Sequence, residues 1–255
     1  MTHAVTGLFL YGDITDTFTD ITAPFVDAVI ARGPTIALLL QGGHEWERYV
    51  ARYRTAFEAR ADVNVLAVVP DPEGTVDESA FTVVEAAAGI FMGGGDTETY
   101  HAAFVASPTG DLIRRRFDEG VPYGGVSAGA TLACQTSILA GNAIAGRPVM
   151  AVTEDEDLSD IRLGPGLSLL ADAIVQPHFT EVACLPRLVA AMELTSTGVG
   201  LGIDEPAGLY IEGSIARVLG SGAAHVLHRA DGRIVAQRKR PGETFHVAEH
   251  ASGEQ

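Results

Sequence analysis

Apolar residues along this chain fall into short, nearly unbroken blocks separated by longer stretches in which they recur every three or four positions. Residues 5–11 (VTGLFLY), 35–41 (TIALLLQ), 63–69, 88–92 and 121–126 are such blocks, each with the length of a buried strand. Between them, residues 25–30 carry helical periodicity closed by Arg32-Gly33-Pro34. Residues 45–60 form an amphipathic helix with Trp46, Tyr49, Val50, Tyr53 and Phe57 on one face. Residues 70–75 are a Pro/Asp/Gly loop, and 99–119 are helical with a break at Ser107-Pro108 and a cap at Gly120. Strands apolar throughout, alternating with helices, predict an α/β fold: a mostly parallel sheet sandwiched by helices.

The second half is less regular. Gly164-Pro165-Gly166 reads as a turn, 173–176 as a strand ending at Pro177-His178-Phe179, 181–193 as a helix, and 197–203 as a strand ending at Asp204-Glu205-Pro206. Residues 209–211, 216–219, 224–228 and 233–237, divided by Gly and Asp-Gly turns, predict a small antiparallel C-terminal extension. Residues 1–246 are expected to form one domain, with 247–255 a frayed polar tail.

Composition narrows the partners. A hydrophobic share of 47% suits a buried sheet, and a net charge of −16 repels nucleic acid and anionic lipid. No nucleic acid and no membrane are therefore expected as partners. Two cysteines without CxxC spacing exclude a disulfide framework and a cysteine-based zinc site, so the cytoplasm is the expected compartment. The first residues lack the basic flank and apolar core of a signal peptide. Glu154, Asp155, Glu156, Asp157 and Asp160 read as a solvated loop.

The chemistry gathers at strand ends. Gly125 and Gly129 flank Ser127 at two residues on either side, the spacing of a nucleophile elbow, where bulk would collide across the strand-to-helix turn. In parallel sheets the ligand crevice lies at the carboxyl ends of the strands. Two further ends supply His178, a base able to take the serine proton, and Glu205, a carboxylate able to orient the imidazole; Asp204 is a rival acid. The turn Gly93-Gly94-Gly95-Asp96-Thr97 can aim the N–H groups of Gly94 and Gly95, with that of Ala128, at an oxyanion. Each residue also has an ordinary structural reading, a lone histidine above all. His225 and His228, three apart on a strand, point to opposite faces, so no metal site is expected.

Gly94-Gly95-Asp96-Thr97, GVSAGA at 125–130, PHF at 177–179 and GIDE at 202–205 together resemble the dipeptidase E / cyanophycinase family of serine peptidases. The resemblance implies a fold similar to class I glutamine amidotransferases, a Ser127, His178, Glu205 triad, no cofactor and a homodimer. It implies a small peptide substrate, with aspartyl dipeptides leading and aspartyl-arginine peptides as the alternative. Cyanophycinases usually show GGDQ where this chain has Thr97, and several arginines after the histidine, whereas 180–186 holds none. Asp96, Thr97, Arg162 and Arg187 are candidate substrate-binding residues, with Arg147 a further cation. A glutaminase would need cysteine at 127, an α/β-hydrolase esterase the order Ser, acid, His; a non-catalytic binding protein on the same scaffold is the remaining alternative.

Overall fold

The computed structural model describes residues 7–43, 46–150 and 158–247. Residues 5–6 of the first expected strand, position 45 of the amphipathic helix, most of the acidic stretch (151–157) and the tail from 248 lie outside them. In the first half, strands β1 (Gly7–Tyr11), β2 (Thr35–Leu39), β3 (Asn64–Val68), β4 (Gly89–Met92) and β5 (Tyr123–Val126) alternate with helices α1 (Phe18–Ile30), α2 (Trp46–Glu58), α3 (Glu78–Ala86), α4 (Thr97–Phe104) and α5 (Pro108–Asp118). The break expected at Ser107-Pro108 separates α4 from α5, with Pro108 at the first helical position, where its missing N–H costs nothing. α1 starts seven residues before the expected 25 and carries Pro24 inside it. No helix is expected between 75 and 88, yet α3 lies there. It starts from Asp77, whose carboxylate accepts the Ala80 N–H at 2.8 Å, and only Val84 is buried, so its apolar period is faint.

The second half contains α6 (Ala128–Thr131), β6 (Thr136–Ala140), β7 (Ala143–Ile144), β8 (Arg147–Pro148), β9 (Arg162–Pro165), β10 (Ala173–Gln176), α7 (Leu185–Thr195), β11 (Val199–Ile203), β12 (Ala207–Glu212), β13 (Ile215–Gly220), β14 (Ala224–Ala230), β15 (Arg233–Lys239) and β16 (Thr244–His246). Here the structure corrects several expectations. The helix expected at 181–193 begins only at Leu185, after turns that include Ala183 at φ 53°. The turn expected at 164–166 is largely strand: β9 pairs antiparallel with β6, Pro165 opposite Thr136.

The strands divide between two main sheets. The larger runs β16-β13-β12-β1-β5-β4-β2-β3; its β1, β5, β4, β2 and β3 are parallel, and β12, β13 and β16 form an antiparallel edge. β10 and β11 form a separate four-stranded sheet with β14 and β15. The four C-terminal strands are therefore not one extension. Two of them widen the large sheet and two complete the small one.

Alternation along each strand explains how the layers share a core. Phe9 and Tyr11 of β1 face an aromatic cluster with Phe18, Phe25, Tyr53, Phe57 and Phe91, where α1 and α2 cover the sheet. Leu8 and Leu10 face the opposite cluster, which also takes Val175 of β10 and Leu201 and Ile203 of β11. The other face of the small sheet, through Ile174 and Leu227, packs on Leu188, Ala191 and Met192 of α7. The two sheets thus close on one apolar layer, and the loops at their ends meet. The fold is mixed α/β, with a large, mostly parallel central sheet flanked by helices.

Candidate active site

Ser127 sits at the carboxyl end of β5 with φ 53° and ψ −113°, a backbone state that costs a non-glycine residue of the order of 1–3 kcal/mol. Four backbone hydrogen bonds impose it. The Ser127 N–H donates to Tyr11 O at 3.1 Å, Ala130 and Thr131 donate to its carbonyl, and the Gly129 N–H is drawn to Gly93 O at 3.2 Å. A Cβ on Gly125 would meet Gly129 O at 2.4 Å, and one on Gly129 would meet Met92 O at 2.3 Å. Both obstacles are backbone, so these two positions require glycine.

The strain aims the hydroxyl at the small sheet. Ser127 Oγ lies 2.9 Å from His178 Nε2, and His178 Nδ1 lies 3.1 Å from Glu205 Oε1. His178 follows β10 at φ 51°, while Glu205 occupies the short crossover between β11 and β12. About a third of the Glu205 side chain and a quarter of that of His178 are exposed, so substrate and water can reach them. A serine hydrogen-bonded to an imidazole that a carboxylate orients can hand its proton to the ring and attack a carbonyl.

Asp204 does not share that position. It is buried, its Oδ1 accepts the Thr180 hydroxyl at 2.5 Å and approaches His225 Nε2 at 3.3 Å, and its Oδ2 accepts the Ala223 N–H at 3.2 Å. His225 packs on the Phe179 ring, while His228 pairs with Val199 and has a buried Nδ1 without a partner among the described residues. Among the described residues one group has the spacing to hold a cation: Asp13, His178 and Glu205, with ligand atoms within 4.8 Å of one another. Both ring nitrogens of His178 are already engaged, so an ion could enter only by breaking the serine–histidine–glutamate chain.

The glycine turn differs from expectation at one atom. The Gly94 N–H donates to the Tyr53 hydroxyl at 3.1 Å, and the Tyr100 hydroxyl donates to Gly94 O at 3.3 Å, so this peptide is clamped by two tyrosines rather than offered to an oxyanion. Burial, first of all, holds both phenols well above their ordinary range and keeps them neutral. The N–H groups of Gly95 and Ala128 donate to no hydrogen-bond partner among the described residues. Gly94 matters by closeness instead: a Cβ there would stand 3.1 Å from Ser127 Cβ. Tyr53→Phe is expected to lower the melting temperature by about 2–4 °C, equivalent to ~1 kcal/mol, and to reduce kcat more than KM by loosening the turn that carries Gly95. Unchanged kcat with normal stability would show that the turn needs no clamp.

A cleft of about 370 Å³ opens beside Ser127, with Asp13, Gln41, Trp46, Arg52, Gly94 and Gly95 in its wall. Asp96, Thr97, Arg162 and Arg187 do not line it. Asp96 caps α4, accepting from the N–H and hydroxyl of Thr99, and the half-buried Thr97 is the first residue of that helix. Arg162 pairs with Glu98 at 2.6 Å on the surface. Arg187 is spent on Gly141 O and Gln176 Oε1, and Arg147 lies exposed in β8. Arg52 and Asp13 are the charges that sequence reasoning misses. Arg52 belongs to the polar side of an amphipathic helix, which reads as solvated, whereas Asp13 follows a strand end, where the crevice rule could have found it.

The family model for peptidase family S51 matches residues 12–219. The cyanophycinase of Synechococcus elongatus is 30% identical over 172 residues, covering 67% of this chain and 50% of that one. The cyanophycinase of Geminocystis herdmanii is 28% identical over 209 residues, covering 79% of this chain and 70% of the relative. The chain spans about half the length of the first of these curated relatives. Among solved structures, a peptidase from an acI-B1 Actinobacterium superposes with a TM-score of 0.71 at 19% identity, covering 96% of this chain and 98% of the other. A putative peptidase E protein from Listeria monocytogenes EGD-e gives 0.57 at 19% identity, covering 86% and 100%, so the two share the fold. The matched span includes the loop of Asp13, the glycine turn, the serine elbow and the ends of β10 and β11, and the chain belongs to peptidase family S51.

Proposed function

We propose that the protein is a serine peptidase that hydrolyses small peptides, aspartyl dipeptides first among them, through a Ser127, His178, Glu205 triad. The observation that carries this reading is the hydrogen-bonded chain from Ser127 Oγ through both nitrogens of His178 to Glu205, with the serine held in a strained elbow. His178 takes the hydroxyl proton as Oγ attacks the scissile carbonyl, and Glu205 stabilises the imidazolium. The N–H groups of Gly95 and Ala128 are the donors for the oxyanion. The imidazolium protonates the leaving amine, and water then hydrolyses the acyl-enzyme by the same base. Cys134 offers no thiolate alternative: it is buried, and burial pushes its thiol up to about 12.

A second reading, hydrolysis of aspartyl-arginine isopeptides, is favoured by the names of the relatives at 27–30% identity. Thr97 in the glycine turn and the lack of arginine from 180 to 186 weigh against it. A screen of dipeptides and isopeptides with mass-spectrometric readout separates the two. Consumption of Asp-Leu and its like, with β-aspartyl-arginine untouched, is the expected result; preference for the isopeptide would move the chain to the second reading.

A further inference from the structure

The cleft beside Ser127 holds an anion and a cation that do not neutralise each other. Asp13 Oδ1 accepts the Ile14 N–H at 2.7 Å, and Arg52 Nη2 donates to the carbonyl of the same Ile14 at 2.6 Å. One residue's two peptide groups therefore pin both charges at the cleft wall. Neither Asp13 nor Arg52 has an ion-pair partner among the described residues, and they do not pair with one another. Both still act on one group, with opposite signs. The Tyr53 hydroxyl, raised first by burial, is pushed further up by Asp13 and back down by Arg52.

Their positions differ with respect to the reacting groups. Asp13 stands with His178 and Glu205, ligand atoms within 4.8 Å, so it lies on the base's side of the serine. Arg52 projects from α2, and its remaining N–H groups meet no acceptor among the described residues. A planar fork of donors fits a carboxylate, and a carboxylate fits an ammonium. One small chemical unit carries both complements a few bonds from a carbonyl: an acidic residue with a free amino group.

We propose that Arg52 binds the side-chain carboxylate and Asp13 the α-ammonium of an amino-terminal acidic residue, setting its carbonyl on Ser127. This rests on the peptidase reading above and names the groups that would make it selective. It also replaces Arg162 and Arg187, whose guanidinium groups are spent elsewhere.

The test uses the full chain with Asp-Leu, Asn-Leu and N-formyl-Asp-Leu. Wild type is expected to prefer Asp-Leu to Asn-Leu in kcat/KM by roughly 30-fold or more, the scale of leaving a charge unpaired in the site. Arg52→Gln should collapse that ratio toward one through KM, and Arg52→Lys should restore part of it, having the charge without the fork. Asp13→Asn should raise KM for Asp-Leu and shrink the penalty of formylation. Trp46 is the sole tryptophan and lines the same cleft, so its emission in Ser127→Ala carrying each change reads binding without turnover and checks the fold. Indifference of a wild type that cleaves both Asp-Leu and Asn-Leu would overturn the aspartyl preference and this assignment together, while cleavage of neither would overturn the peptidase reading. A selective wild type whose Arg52→Gln keeps its ratio would overturn the assignment alone. A displaced kcat–pH limb in Asp13→Asn, with KM unchanged, would make Asp13 a tuner of His178 and remove its role toward ammonium.

Discussion

Ser127→Ala is expected to remain folded and to lose turnover by a factor on the order of 10⁴–10⁶, leaving only what the oxyanion donors and substrate binding supply. The alanine keeps the backbone contacts that set the elbow, because these run through the Ser127 N–H and carbonyl and not its hydroxyl. It loses one hydrogen bond to His178, a small debit in stability of about 1 kcal/mol. A serine-directed phosphonate should label Ser127 and no other residue of the wild type. Ser127→Gly adds a control, since glycine adopts φ 53° without strain. It should match the alanine variant in inactivity while melting higher. Substantial turnover in either variant would remove the serine from the chemistry.

The second large effect separates two neighbouring acids. Glu205→Gln keeps the size of the side chain but cannot stabilise an imidazolium, so kcat should fall by about 10²–10⁴ with the melting temperature nearly unchanged. The partial exposure of Glu205 sets the expectation below the upper end, because water screens part of the charge. Asp204→Asn should do the reverse. Its carboxylate gathers the Thr180 hydroxyl, the Ala223 N–H and the edge of His225 in a buried corner, and an amide can accept only through one oxygen. A loss of ~1–3 kcal/mol in stability with modest change in kcat is expected. A dead Asp204→Asn beside a nearly normal Glu205→Gln would assign the orienting acid to Asp204.

How much of this was legible depended on whether the determinant is local. The inner parallel strands announce themselves because they are buried on both faces and therefore almost continuously apolar, edge strand β3 because it is still apolar from 65 to 68, and the elbow because both its glycines are demanded by nearby backbone. α3 left no comparable trace, with one buried residue and an aspartate cap that resembles any loop acid. β7 and β8 are only two residues each, and β6 finds its partner β9 beyond both of them in the chain. The division into two sheets could not be read at all. A strand's existence follows from its own side chains, but its neighbours follow from contacts among residues up to about 200 apart in the chain, such as Leu8 with Ile211. For the site, position at a strand end pointed to Ser127, His178 and Glu205, whereas the cleft wall, supplied by α2 and the loop after β1, follows from packing of α2 against α1 and the sheet.

Ser127 stands at the end of one sheet and His178 at the end of the other, with Glu205 in the crossover that joins them. In order of synthesis the serine at 127 leaves the ribosome first, followed about fifty residues later by its histidine and then by its glutamate. The small sheet is finished only when β14 and β15, still further along, have paired with β11. A nascent chain therefore presents an elbow with no base beside it. On the proposed function, hydrolytic competence would arrive late, as a property of the closed pair of sheets rather than of the elbow alone.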